Sequence, residues 1–397
     1  MKKWMVCAVV TAAAVGGYGD DWPVWRGPDR NGISKETGWN PKGEKKLWTK
    51  ELGAGYSSVS VKDGRLYTAG HESGDDKTGK DTIYCLAAGT GAEIWRYSYP
   101  CATGQYKGPR ATPVVDGTCV YMVSQEGLVI CLDAESGKVN WKVDVLEKTS
   151  NANIKWGVST SAVIEGELLL LNIGEAGVAL KKDTGAVAWK SKGAFSYASP
   201  VVFDHQGKRV AAIFSATGLQ VVDVETGKKI DSFEWKTSYD VNGADPVIIG
   251  DKIFISSGYN HGCALLDFSS GKLKKVWETD VLKNHFSSSV YMDGYIYGVD
   301  GQTKKDGFLR CISAADGSER WSTPIGFGSL IAAGDKLIVL DEAGGLHIAE
   351  ASPEKYNVIS TVATGLEKLC WTPPALADGI IYCRNDKGTL VAIDVSK

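Results

Sequence analysis

The sequence is poor in the residues that mark common chemical centres. It has only five histidines, and no two stand as His-x-x-x-His; its cysteines never form Cys-x-x-Cys. Those gaps exclude the usual zinc patterns and a c-type haem attachment site. Gly-x-Ser-x-Gly and glycine-rich phosphate loops opening a helix are also missing. There is no long basic run, and a net charge of −3 gives no electrostatic basis for binding nucleic acid or an anionic membrane surface. Beyond the first residues no apolar segment approaches the ~20 residues of a spanning helix. No segment combines helical periodicity with caps, so the chain reads as all-β.

What is present starts with an export signature. Lys2 and Lys3 precede an apolar stretch from Trp4 to Val15, and Gly17-Tyr18-Gly19 offers small residues before Asp20. Residues 1–19 are therefore expected to be a signal peptide cleaved near Gly19, leaving no transmembrane segment in a periplasmic or secreted chain. Cys7 has no small residue before it, so no lipoprotein is expected.

The strongest internal signal is a glycine turn followed by tryptophan. It reads Gly89-Thr90-Gly91 to Trp95, Glu135-Ser136-Gly137 to Trp141, Asp183-Thr184-Gly185 to Trp189, and Ala315-Asp316-Gly317 to Trp321. Weaker copies occur at Glu225-Thr226-Gly227 and Ser269-Ser270-Gly271. The turn glycines stand 42 to 48 residues apart, the period of a four-stranded propeller blade. Turns such as Asp63-Gly64, Asp116-Gly117, Asp293-Gly294 and Asp378-Gly379 lie between β-branched pairs and read as hairpins.

Six units are clear, a degraded seventh spans Leu337 to Val358, and an eighth begins at Trp371-Thr372-Pro373-Pro374 with three strands. The expected fold is an eight-bladed β-propeller over 45–397, preceded by an N-terminal arm at 20–44. Lys45-Lys46-Leu47-Trp48 supplies the missing outer strand and closes the ring beside Val391 to Ile393. Seven blades remain open if the degraded unit is no blade. Trp95, Trp141, Trp189 and Trp321 are expected to dock, buried, between neighbouring blades. Cys85, Cys131 and Cys311 share one register with Ala179, Val221 and Leu265, which marks a core position rather than a disulfide framework.

The turn-and-tryptophan unit resembles the docking repeat of PQQ-dependent alcohol dehydrogenases and of BamB-type outer-membrane assembly scaffolds. Closer still is a group of exported PQQ-like propellers. That likeness rests on Trp22-Pro23-Val24-Trp25-Arg26-Gly27-Pro28 with Asn31-Gly32, and on Trp371-Thr372-Pro373-Pro374 with Tyr382-Cys383-Arg384-Asn385. It covers essentially the whole mature chain.

Propeller geometry puts both kinds of glycine turn on one face. The blade-to-blade loops converge on the other face, the mouth. Candidate ligand or partner contacts there are Tyr56, Arg110, Trp156, Tyr197, Asn242, His285, Trp371 and Arg384, because aromatic platforms, hydroxyls and a guanidinium suit a polar or aromatic ligand. The loops Gly70 to Asp81 and Asp300 to Gly307 carry carboxylates but no calcium-loop spacing, and are expected to be solvated.

Two functions follow: an exported binding or scaffolding propeller that holds a protein or small molecule, or a quinoprotein dehydrogenase. The resemblance to dehydrogenases implies PQQ in the mouth beside calcium and an aspartate base. Those enzymes are considerably longer, and many carry an adjacent cysteine pair that this sequence lacks. Asp240, Asn242 and Asp245 form the only compact Asn/Asp group on the mouth side. The binding propeller, with no cofactor and no catalytic or metal residue, is the expected reading.

Overall fold

A computed structural model describes residues 20–74, 78–301 and 307–397. The expected signal segment lies outside the described residues, as do Asp75 and Asp76.

Eight four-stranded antiparallel blades form a closed ring, one of them extended by a short fifth strand. Blades 1 to 7 span 60–100, 114–144, 163–190, 201–234, 247–279, 290–324 and 328–363; blade 8 spans 375–394. The degraded seventh unit is thus a complete blade, and the ring has eight members. Its outer closing strand is Lys45–Glu51, with Lys46 opposite Ile393 and Trp48 opposite Ala392. Joining the two ends of the chain in one sheet leaves no open seam.

Both turn families lie on one face because they are bonded to each other. The residue after each third strand donates to the first hairpin of its own blade: Ala88 to Gly64, Ala134 to Thr118, Phe268 to Asp251, Ala314 to Gly294 and Val395 to Gly379, all at 2.8–2.9 Å. Every blade also carries a register shift between its third and fourth strands, beside the docking position. A bulge there twists the outer strand and turns the indole toward the next blade.

Three of the four expected tryptophans land on a glycine, while Trp321 donates to Ser352 O of a turn without one. Gly137 adopts φ +70°, and a Cβ on it would sit 2.7 Å from the Trp95 ring; Gly185 meets Trp141 and Gly227 meets Trp189 in the same way. The indole Nε1 then donates to a carbonyl of that next turn, at Ala134, Lys182 and Val224 respectively. Trp48 and Trp277 do the same over Gly91 and Gly317, although the sequence pattern did not single them out. Blade 4 breaks the series: Asp231 takes the tryptophan's place opposite Val221, and His205 approaches Gly271 instead. Of the expected four, only Trp95 is buried. Trp141, Trp189 and Trp321 are half-buried.

Across the bulged pairing, Cys85, Cys131 and Cys311 stand opposite Trp95, Trp141 and Trp321. All eight described cysteines are free thiols, and all but Cys119 are buried. Two short helical pieces depart from the all-strand expectation. Val145–Thr149 forms one turn because the Asp144 side chain accepts from Glu147 N, and Ser150 ends it in a left-handed conformation. Ser238–Asp240 is a 3₁₀ turn.

Candidate functional site

The ring axis is lined by a belt of short polar side chains just ahead of the first strands. Ser58 N donates to Thr112 Oγ1 (3.0 Å), Thr112 N to Ser161 Oγ (2.9 Å) and Ser161 N to Ser199 Oγ (3.0 Å). Ser199 N continues to Asp245 Oδ1 (2.7 Å), and Asp245 N to Ser288 Oγ (2.9 Å). Prolines at 113, 200 and 246 hold the preceding belt residue extended, as X-Pro sterics require. The belt thus ties neighbouring blades where an unpaired N–H would be costly.

Asp245 is the one carboxylate in this belt, and it has a second task. Its Oδ2 accepts from Trp25 Nε1 at 2.6 Å. Trp25 belongs to the N-terminal arm, which crosses the hairpin-side end of the axis. Trp22 pairs with Val61, the Pro23 carbonyl accepts from Val115, and Arg30 donates to Ile164 O. Arg26 donates to Ser289 O, Ile33–Ser34 adds a parallel strand to blade 7, and Ser34 Oγ reaches Leu376 O. The arm therefore bonds to inner strands or axial loops of seven blades and plugs the channel.

Above the plug a cavity of about 200 Å³ opens on the mouth face. Trp25 is its floor and separates it from a smaller void beside Arg26. Aromatic rings run around the wall in a connected series. Tyr56 stacks on Trp371 (5.8 Å, 19°), Trp371 meets Phe286 (5.4 Å), Phe286 meets His285 (4.7 Å), and His285 meets Tyr259 edge-on (5.0 Å). Tyr239 links Tyr259 to Trp156, which contacts Tyr197 at 6.0 Å. Tyr239, Asp240, Tyr259 and Asn260 all have φ between +56° and +64°, a cluster of strained non-glycine backbone on this face.

The charges are few. Asp245 is buried, and desolvation pushes its carboxyl above the usual range while nearby Arg26 opposes that rise. Burial holds the His285 imidazole down at about 4, so it is neutral at neutral pH. Arg110 is half-buried in the wall, and burial lowers its guanidinium from the ordinary value. It donates to Gln125 Oε1, Gly108 O and Tyr106 O, and pairs with no acidic side chain among the described residues.

Six of the eight expected contacts therefore come together: Tyr56, Arg110, Trp156, Tyr197, His285 and Trp371 all line the cavity. Asn242 does not. It is buried behind the wall, where its amide donates to Ser215 O and Trp235 O and accepts from Ser257. Arg384 is also buried away from the cavity, donating to Ser57 O, Thr68 Oγ1, Ala69 O and Gly53 O across the seam between blades 8 and 1. Both satisfy backbone carbonyls that the blades leave unpaired.

The expected solvated acidic loops hold for Glu72, which is exposed, but not for the carboxylates at the loop ends. Strand pairing extends to Ser73 and Gly79, burying Asp81 against His71 at 2.7 Å, and His71 Nε2 lies 2.9 Å from Thr103 Oγ1. Asp300 is buried and pairs with Arg310 at 2.9 Å. The aromatic cavity residues that sequence reasoning did not commit to are Trp25, Tyr106, Tyr259 and Phe286. Phe286 stood beside an expected contact; Trp25 belongs to a segment that obeys no repeat.

Comparison with known proteins agrees with this architecture. The profile of a PQQ-repeat family described as outer membrane protein assembly factor BamB matches residues 79–323. The chain belongs to that family. BamB of Yersinia pestis is 25% identical over 319 residues, covering 70% of this chain and 77% of the relative. BamB of Moranella endobia is 22% identical over 292 residues, covering 67% and 69%. Among solved structures, BamB from Moraxella catarrhalis superposes with a TM-score of 0.65 at 17% identity, covering 88% of this chain and 97% of that one. Quinohemoprotein alcohol dehydrogenase from Comamonas testosteroni gives 0.70 at 13% identity, covering 95% and 81%. At such identities the two structures establish a shared propeller fold.

Proposed function

We propose that this BamB-family propeller is a binding scaffold of the cell envelope that engages its partner at the mouth. The observation that carries this reading is the connected aromatic wall around an open cavity, with one guanidinium lacking an acidic partner. Aromatic rings that face an opening beside polar groups are the usual composition of a contact surface. The relatives' name, outer membrane protein assembly factor, supports placing that contact in outer-membrane assembly.

The dehydrogenase alternative finds little support in the side chains present. PQQ is a tricarboxylate, whereas Arg110 is the one guanidinium lining the cavity. Calcium needs several oxygen ligands, yet no three His, Cys, Asp or Glu converge among the described residues. Asp245, the acid at the mouth, already accepts from Ser199 and Trp25.

The test is complementation. Deleting the gene in its host should lower the level of outer-membrane β-barrel proteins, and the wild-type chain should restore it. Trp156→Ala and Arg110→Ala, expressed and folded normally, should not. Unchanged barrel levels in the deletion, or full rescue by both variants, would overturn the proposal.

A further inference from the structure

Behind the Trp25 floor, the arm and the loops entering blades 6 and 8 enclose the second void, of about 10 Å³. Its polar border is Arg26 from the arm, Ser58, and Ser287 with Ser288 from the loop ahead of blade 6. Two of these side chains are buried with a polar atom that meets no partner. They are Arg26, 6% exposed, at Nη1, and Ser287, 3% exposed, at Oγ. Ser288 Oγ accepts from Asp245 N at 2.9 Å, and no acceptor for its own proton stands among the described residues. Pro373 also lines the void, but its carbonyl is taken by Ser58 Oγ at 2.9 Å. Three groups with a proton to give thus border one small space.

The charge at this border is one-sided. Arg26 donates through Nη2 to two carbonyls, Asn31 O and Ser289 O, and forms no ion pair among the described residues. Asp245 acts on it from farther off. The two oxygens of that carboxylate receive Ser199 N and Trp25 Nε1, and it lines the mouth cavity rather than this void. Burial lowers the Arg26 guanidinium from its ordinary value, and the attraction of Asp245 offsets that fall only in part. A guanidinium enclosed with an unused N–H and no carboxylate in contact is costly to bury.

We propose that this void binds one monatomic anion of the halide class, held by Arg26 Nη1 and by the hydroxyls of Ser287 and Ser288. The room is that of one water-sized body, which shuts out carboxylates, phosphate and sulfate. A water has the size, but it leaves the charge of the guanidinium unanswered and needs acceptors for two protons of its own. A halide such as chloride accepts a hydrogen bond from each of the three groups and answers the charge as well. The ion fastens the arm to the loop ahead of blade 6 right behind Trp25, and so holds the floor of the mouth cavity in place. The site does not depend on what the mouth itself binds.

The experiment crystallises the full chain in sodium bromide and collects diffraction at the bromine edge. One anomalous peak should lie within hydrogen-bonding reach of Arg26 Nη1 and Ser287 Oγ. In solution, thermal unfolding is followed by circular dichroism while sodium chloride replaces sodium gluconate at constant ionic strength. The melting temperature should rise by about 2 °C or more and then saturate, as binding to the folded chain alone requires. Ser287→Ala removes one donor and should raise the half-saturating chloride concentration by about tenfold. Arg26→Gln should abolish the dependence; if that variant does not fold, Ser287→Ala and the bromide peak decide. Three results would overturn the proposal. They are no anomalous peak at the site, a light-atom density there that bromide does not replace (the mark of a water), and a chloride response identical in the wild type and Ser287→Ala.

Discussion

The Trp95 indole lies on the backbone of Gly137, donates to the Ala134 carbonyl at 3.0 Å and covers Tyr67 of its own blade. A single side chain thus joins two blades by burial, by a hydrogen bond and by ring packing. Trp95→Ala should cost about 3–5 kcal/mol in chemical denaturation, as for a large buried aromatic. The half-buried Trp321 should cost less. A loss below about 1 kcal/mol at Trp95 would show that the blades cohere by other means. His285 makes a different kind of contribution. Burial lowers its imidazole to about 4 from 6.5 in an unfolded chain. Between those values the unfolded chain binds the extra proton, so stability is full above about pH 6.5 and falls as the pH drops toward 4, by about 3 kcal/mol from this group. His285→Phe should flatten that part of the profile, read as denaturation midpoints at about pH 7 and about pH 4.5. An unchanged slope would place the acid sensitivity elsewhere.

Strand Lys45–Glu51 holds the ring shut, and Arg384 stitches the same seam from inside with four hydrogen bonds to blade 1 and its approach. Removing residues 45–50 should expose the outer edge of Thr389–Asp394 and lower both solubility and melting temperature. Retention of both would mean that the belt and the arm close the ring without that strand. This strand was legible in the sequence, because eight units with one strand short require a donor and Leu47-Trp48 fits the outer-strand pattern. Trp277 was less legible: its turn reads Ser-Ser-Gly and stands two residues farther from the tryptophan than the others, so the spacing concealed a docking that the structure shows in full. Arg384 was misplaced for a physical reason. A cationic residue inside a strand looks like a surface or ligand group unless the carbonyls it serves are known, and those come from residues more than 300 positions away.

At the scale of the whole molecule, periodic features were readable and aperiodic ones were not. Blade number, face assignment and six cavity residues followed from a repeat that states its own geometry. The arm escaped because it pairs with everything and repeats nothing. Its motif, Trp22 to Pro28, showed only that the segment mattered, and not that Trp25 would turn upward to meet a belt carboxylate. Among the belt residues Asp245 looked like one more polar loop residue, since its difference from the serines appears only when Trp25 is in place.

The course of the arm also sets an order of events in time. Trp22 to Ser34 are made before any blade, yet Ser34 must wait for Leu376 and for the strand 328–333 before its bonds can exist. The first-made segment is thus among the last to be placed, and contacts spanning more than 300 residues are slow to close. Until the approach to blade 8 is made, the cavity lacks the part of its wall that Trp371, Thr372 and Pro373 supply.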